Sequence, residues 1–257
     1  MGEIGKQFER LLELVTRLRA DDGCPWDREQ SPATIKNYIL EEAYELVDAV
    51  EHHPPSHVAE ELGDLIFMVV FLAHLYGEQG DFRMDQVLHG VVEKMIRRHP
   101  HVFGDRQVDS AVEVKQNWEE IKRQEQSDKT LGFALNGIPR SLPALMRAYR
   151  ILARLVRTLH RPLNRDILLR ELQQTFAALV QETSTLGHRP PAAVLGKLLL
   201  LIVGLSLQAE TRPEEALGKT LERFCQQVER LEETLTAEGE NWENVSEEQE
   251  RSLWGHL

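Results

Sequence analysis

Glu41-Glu42-Ala43-Tyr44-Glu45-Leu46-Val47-Asp48-Ala49-Val50, followed by Glu60-Glu61-Leu62-Gly63-Asp64-Leu65-Ile66-Phe67-Met68-Val69-Val70-Phe71, is the stretch around which the chain is organised. Both halves carry helix-period apolar residues with acids set among them. On a helix, Glu41 and Glu45 lie four residues apart and Glu42 and Glu45 three apart, so their carboxylates share a face; Glu61 and Asp64 repeat the three-residue spacing. Like charges at these spacings cost about 0.2–0.5 kcal/mol per pair in water, and more where a neighbouring helix excludes solvent. A cation among them removes that cost, and an all-oxygen ligand set selects Mg²⁺, with Mn²⁺ as a substitute, over zinc.

Acid pairs also occur on plain solvated helix faces, and two features argue against that reading here. Ala43, Leu46, Val47 and Val50 run beside the first acids, and Leu62, Leu65, Ile66, Val69 and Leu72 beside the second, so both sets lie at the edge of a buried face. Gly63 sits inside a helical pattern at a cost of about 1 kcal/mol relative to Ala, which predicts a close helix approach at that level.

The rest of the chain sets the bounds. At 257 residues and 42% hydrophobic content it is long enough for one large domain or two of about 125, and only the acidic tail reads as disordered. The formal charge of −12 argues against a general nucleic-acid binder and requires local cations to meet any polyphosphate. Cys24 and Cys225 offer no zinc spacing and read as reduced thiols, which suits a cytoplasmic protein; no leader and no membrane span are expected.

In chain order, Ile4, Phe8, Leu11, Leu12, Val15 and Leu18 predict a helix over 3–20, and residues 21–31 a loop. Within that loop Trp26 has two readings, a platform for a nucleotide base or a packing anchor. Ser31 and Pro32 predict the cap and first turn of a helix running to His52, and Ser56 the cap of another reaching about Tyr76. The short Pro54-Pro55 turn makes these two antiparallel neighbours and brings the acids together. A fourth helix, 84–98, ends in Lys94, Arg97 and Arg98, which either complement the helix dipole or meet phosphate oxygens. A helix over 109–126 and a linker over 127–139 follow, placing a domain boundary near 130–140.

The second half predicts helices at 142–159, 165–186, 191–210 and 213–238, with Gly187 and Gly239 as stops. It reads as a worn copy of the first: Leu195-Gly196-Lys197 stands where Leu62-Gly63-Asp64 lies, and Arg170-Glu171-Leu172-Gln173-Gln174 where Glu41 to Glu45 lies. Glu171 alone survives of the five acids, and Val194 and Lys197 replace Glu61 and Asp64. No metal is expected there; the Lys197 ammonium would take the cation's place beside Glu171.

Glu-Glu-x-x-Glu (41–45) followed by Glu-x-x-Asp (61–64) resembles the pattern of the MazG nucleoside triphosphate pyrophosphohydrolases. Residues 23–30 (Gly-Cys-Pro-Trp-Asp-Arg-Glu-Gln), 97–103 (Arg-Arg-His-Pro-His-Val-Phe), 118–122 (Trp-Glu-Glu-Ile-Lys) and 138–145 (Ile-Pro-Arg-Ser-Leu-Pro-Ala-Leu) agree with it, so the likeness spans about residues 8–150. It implies an all-α chain of two tandem MazG-like helical bundles, 1–130 catalytic and 131–257 degenerate and structural, acting as a homodimer. The implied reaction is Mg²⁺-dependent hydrolysis of NTPs and dNTPs to monophosphate and pyrophosphate, with no nucleic-acid or membrane partner. The residues allow Glu42, Glu45, Glu61 and Asp64 to hold the metal, Glu41 to orient or deprotonate water, and Lys94, Arg97, Arg98 and Trp26 to contact substrate. A phosphate-binding Gly-x-x-x-x-Gly-Lys loop and a Gly-x-Ser-x-Gly elbow are both missing from the sequence, and the Glu-x-x-His of a di-iron bundle does not occur between Glu41 and Ala73. The alternative is a non-catalytic helical protein that senses or binds nucleotides.

Overall fold

A computed structural model describes residues 2–125, 135, 137–186 and 191–255, without the side chains of 115, 116, 119, 122–124 and 182–186. Among the described residues there is no strand, and the chain divides into two compact units, Met1–Glu125 and Gln126–Leu257.

The first unit holds α1 (Glu3–Arg19), α2 (Pro25–Glu29), α3 (Pro32–His52), α4 (Pro55–Glu78), α5 (Met84–Arg98), α6 (Pro100–Phe103) and α7 (Ala111–Gln124). Ser31 caps α3 as its sequence predicts: the Thr34 N–H donates to Ser31 Oγ at 3.3 Å and the Ser31 N–H to Thr34 Oγ1 at 2.9 Å. At α4 the expectation fails, because the helix begins at Pro55 and Ser56 does not cap it. Proline has no N–H to orphan at the first helical position and its φ is already helical, so Pro55 starts the helix unaided. The same property accounts for α2, inside the segment read as loop, and for α6, which restarts at the proline read as a stop.

Only His53 and Pro54 separate α3 from α4, and the two pack along one another more extensively than any other pair, as antiparallel neighbours joined by a short turn do. Val15, Ile35, Val70, Phe71 and Leu75 form the buried core, with Phe8, Leu12, Tyr38 and Phe67 packed against it. Arg19 ties α2 to α4. Its side chain, 13% exposed, donates to Glu78 Oε1 and Oε2 at 2.8 and 2.7 Å and to the Asp27, Arg28 and Gln30 carbonyls, and its guanidinium lies 5.9 Å from the Phe71 ring centroid. The hydrogen bonds from Arg19 hold the Glu78 carboxyl below the usual carboxylate range. Gly23 makes the turn before α2 possible, since a Cβ there would overlap the Leu18 and Arg17 carbonyls.

The second unit holds α8 (Ala144–Leu159), α9 (Arg165–Leu186), α10 (Ala192–Gln208), α11 (Pro213–Glu238) and α12 (Glu247–Gly255), with a 3₁₀ turn at Trp242–Asn244. α10 packs against α8 and α9, α11 against α8 and α12. Gly239, at φ +71°, ends α11 in the left-handed conformation that favours glycine. The acidic tail, expected to be disordered, is helical at α12, where Trp254 lies 5.2 Å from Phe224; an aromatic anchor offsets the charge of its neighbours. The linker and the Gly187 stop fall largely outside the described residues.

The close helix approach expected at Gly63 is not made. A Cβ there would meet nothing within 4 Å, and the same holds at Gly196. The tight position is Gly204 of α10, where a Cβ would sit 3.2 Å from Leu168 of α9. Helical periodicity marks a glycine as tolerated but not which side of its helix is packed.

Candidate metal centre

Two helices supply the acid site. Glu41, Glu42 and Glu45 stand in the middle of α3, and Glu61 and Asp64 in the second and third turns of α4. The α3–α4 pairing sets them together, so that single carboxylate oxygens of Glu42, Glu45 and Glu61 all lie within 4.8 Å of one another. Their burial differs: Glu61 is 8% exposed, Glu42 half-buried, and Glu41, Glu45 and Asp64 exposed.

Burial is the first cause that raises the Glu42 pKa, followed by repulsion from Glu45, Asp64, Glu61 and Glu41 in that order. All five acids are therefore electrostatically joined at Glu42, although only three converge geometrically. His57, one turn before Glu61 on α4, has Nε2 3.5 Å from Glu61 Oε1 and Nδ1 3.4 Å from Glu60 Oε2, and its ring meets that of His53 edge-on at 4.6 Å. The sequence reading passed over His57, although its four-residue spacing from Glu61 was the available signal. The cluster is rich in oxygen donors, short of positive charge and open to solvent on one side, which fits a hard divalent cation.

The proposed substrate contacts divide. The Trp26 ring, 51% exposed, meets Tyr38 edge-on at 5.8 Å, and Tyr38 lies one turn before Glu42 on α3. Arg97 and Arg98 are not paired with the acid site. Both bond Glu125, Arg97 Nε to Oε1 at 2.9 Å and Arg98 Nε to Oε2 at 3.1 Å, and Arg98 lies 5.5 Å from the Trp118 ring centroid. These contacts, that of Arg98 first, pull the Glu125 carboxyl down to about 2. Lys94 is half-buried and forms no ion pair with a described residue. His99 bonds the Met95 carbonyl at 2.6 Å and packs edge-on against Trp118.

In the second unit, Lys197 Nζ donates to Glu171 Oε2 at 2.7 Å and holds that carboxyl below its ordinary value. An ammonium from α10 thus meets a carboxylate from α9, whereas the α3–α4 pair of the first unit brings carboxylates together.

Residues 30–103, which span α3 to α6 and every acid of the site, match the family model described as the MazG nucleotide pyrophosphohydrolase domain. Over 96% of its length the chain is 36% identical to a nucleoside triphosphate pyrophosphohydrolase of Escherichia coli K12, covering 95% of that protein. The chain belongs to the MazG family. A second relative, the nucleoside triphosphate pyrophosphohydrolase/pyrophosphatase MazG of Thermotoga maritima, is 33% identical over 99% of this chain and 96% of its own. A MazG-related crystal structure from Thermotoga maritima aligns at 30% identity over 45% of this chain and 98% of that one, with a TM-score of 0.40. Both full-length MazG relatives extend across the second unit as well as the first, so the family likeness is not confined to the acid-bearing helices.

Proposed function

We propose that the chain is a Mg²⁺-dependent nucleoside triphosphate pyrophosphohydrolase, cutting NTPs and dNTPs between the α- and β-phosphates to give monophosphate and pyrophosphate, with Mn²⁺ able to replace Mg²⁺. The observation that carries this reading is the convergence of Glu42, Glu45 and Glu61 in a chain whose full-length relatives are named for that reaction.

Glu42, Glu45, Glu61 and Asp64 would hold the metal, and His57 would steady the buried Glu61 carboxylate. When bound, Mg²⁺ supplies positive charge to the polyphosphate and acidifies water. Glu41, exposed at the edge of the cluster, orients the attacking water and takes its proton. Arg97 and Arg98 hand their hydrogen bonds from Glu125 to phosphate oxygens, Lys94 adds a third cation, and Trp26 stacks on the base. Residues 1–130 form the catalytic domain and 131–257 a structural one, in which the Lys197–Glu171 pair replaces the metal.

The assembly is a homodimer. Leu40, Tyr44 and Val47 of α3 and Leu62, Ile66 and Val69 of α4 leave apolar surface exposed, which a second copy of the chain would cover. Turnover needs neither nucleic acid nor membrane, and no single helix among the described residues is long and apolar enough to cross a bilayer. The two free cysteines suit a cytoplasmic location.

The test is chromatography of products from a panel of triphosphates with Mg²⁺ and with chelator. Monophosphate and pyrophosphate in equal amounts, lost on chelation, are expected; release of orthophosphate, or binding without turnover, would overturn the reading.

A further inference from the structure

The first unit is short of positive charge: residues 1–125 hold 14 Lys and Arg against 25 Asp and Glu. Two of those cations, Arg97 and Arg98, close on a single carboxylate. Arg97 sets Nε 2.9 Å and Nη2 2.8 Å from Glu125 Oε1, and Arg98 donates to Oε2 from Nε at 3.1 Å and from Nη2. Each guanidinium thus turns one edge, two N–H groups, toward one oxygen of the same anion. Planar guanidiniums hold phosphate oxygens with these same donors. The arginine pair is an anion cradle, and the anion in it belongs to the chain itself.

Glu125 is placed so that it can leave. Its N–H donates to the Ile121 carbonyl at 2.9 Å, so its backbone belongs to the end of α7. That helix has other ties: Trp118 meets His99 edge-on at 4.8 Å between ring centroids, and Asn117 accepts from Arg106 at 2.6 Å. Trp118 lies about 10 Å earlier along the helix, at about 1.5 Å per residue. Rotation of the Glu125 side chain alone therefore empties the cradle while α7 stays in place.

The cradle is also open to a ligand. The Arg97 side chain is 56% exposed and gives an incoming anion its way in, while that of Arg98, 15% exposed, forms the enclosed wall. Held down to about 2 by these contacts, the Glu125 carboxyl is ionised at any pH near neutrality and always ready to compete for the arginines.

We propose that Glu125 is an internal competitor of the pyrophosphate end of the substrate: its carboxylate fills the Arg97–Arg98 cradle in the free protein, yields it to the β- and γ-phosphates, and returns as pyrophosphate leaves. This rests on the reading of Arg97 and Arg98 as phosphate contacts. A carboxylate has one negative charge and two acceptor oxygens, and two phosphates have more of both, so a bound triphosphate displaces it. The consequence falls on release. Pyrophosphate that met the arginines unopposed would stay as an inhibitor, whereas a tethered carboxylate opposes it at an effective concentration of about millimolar or higher.

The experiment is calorimetric titration of inorganic pyrophosphate, with Mg²⁺, into the full-length protein and into Glu125→Gln, Arg98→Ala and the double variant. Glu125→Gln should bind pyrophosphate about three- to tenfold more tightly than wild type, the strength of a partly exposed ion pair. Once Arg98 is replaced by alanine, that gain should shrink to about twofold or less. Glu125→Asp, which keeps the charge on a shorter stem, should lie between wild type and Glu125→Gln. In turnover assays Glu125→Gln should lower KM for triphosphate and the inhibition constant of pyrophosphate in step, with kcat moving less than either. Equal or weaker pyrophosphate binding by Glu125→Gln, or a gain that survives Arg98→Ala, would overturn the proposal and make Glu125 a structural clamp. The two readings fail separately. A protein that gives those results yet hydrolyses triphosphates loses only the competitor, whereas tighter pyrophosphate binding by Glu125→Gln without any turnover upholds the cradle and overturns the hydrolase.

Discussion

Glu42 bears the repulsion of the whole acid cluster, and that makes it the most informative single residue. Its folded pKa lies above the ordinary glutamate value of 4.5, so the folded state holds the proton more tightly than the unfolded chain. Below that ordinary value this contribution to stability is fully present; it is lost as pH rises through the raised folded pKa. Glu42→Gln should therefore raise the metal-free melting temperature at pH 7.5, with the gain vanishing near pH 4, while abolishing triphosphate turnover. Thermal melts at the two pH values and a product assay check both halves. Glu41→Gln should behave differently. Exposed and outside the three-carboxylate convergence, Glu41 is assigned to water rather than metal, so its loss should cut kcat by about 10²–10⁴-fold with metal affinity retained, measured by kinetics beside calorimetric Mg²⁺ titration.

At the scale of elements, Arg19 and Glu125 are the joints between helices. Arg19 anchors α2 by donating to its Asp27 and Arg28 carbonyls, to that of Gln30 just past its end and to Glu78 on α4, so Arg19→Met leaves several polar groups without partners. It should destabilise the protein by about 1.5–3 kcal/mol, read from urea unfolding, since bonds to charged groups are worth that much. Glu125 works at the other end, closing α7 onto the basic C-terminus of α5. Arg98→Ala should raise KM for triphosphate more than Arg97→Ala, because Arg98 also packs on Trp118 and is the more enclosed of the two. Equal, unchanged KM values in both variants would return the pair to a purely structural role. The depressed Glu125 carboxyl adds a pH signature: its stabilising contribution is present above the ordinary value of 4.5 and is lost as pH falls toward about 2. Urea unfolding at pH 7 and at pH 3 should therefore show Glu125→Gln less stable than wild type at pH 7, with the difference shrinking at pH 3 as the wild-type Glu125 carboxyl begins to protonate.

At the scale of the whole molecule, the exposed apolar side chains of α3 and α4 predict dimerisation through the first unit. Light scattering at micromolar concentration should give the mass of two chains, and Ile66→Asp should give one chain with unchanged helicity; a wild-type monomer would remove the homodimer. In the second unit, Lys197→Met breaks an ion pair whose partners are both about half exposed, so melting should shift little. Manganese-edge scattering from a soaked crystal should place metal only at the Glu42 cluster. A peak beside Glu171 would overturn the structural assignment of this half.

The sequence by itself determined the helical class and most element boundaries. Apolar residues at a 3.6-residue period, Ser31 before Pro32, and Gly239 after α11 are local signals, and local hydrogen bonding enforces them. It also named the acid residues, because i, i+3 and i, i+4 spacing on one helix is decided by the chain alone. Tertiary packing decided the rest. That Glu61 is buried while Asp64 and Glu41 face water, and that Glu125 engages Arg97 and Arg98, depend on which helix lies opposite which, a choice made by the α3–α4 and α5–α7 pairings. The open space at Gly63 and the close approach at Gly204 make the same point. A glycine in a helix shows where no side chain is needed, and only a neighbouring helix, distant in sequence, shows whether that space is filled.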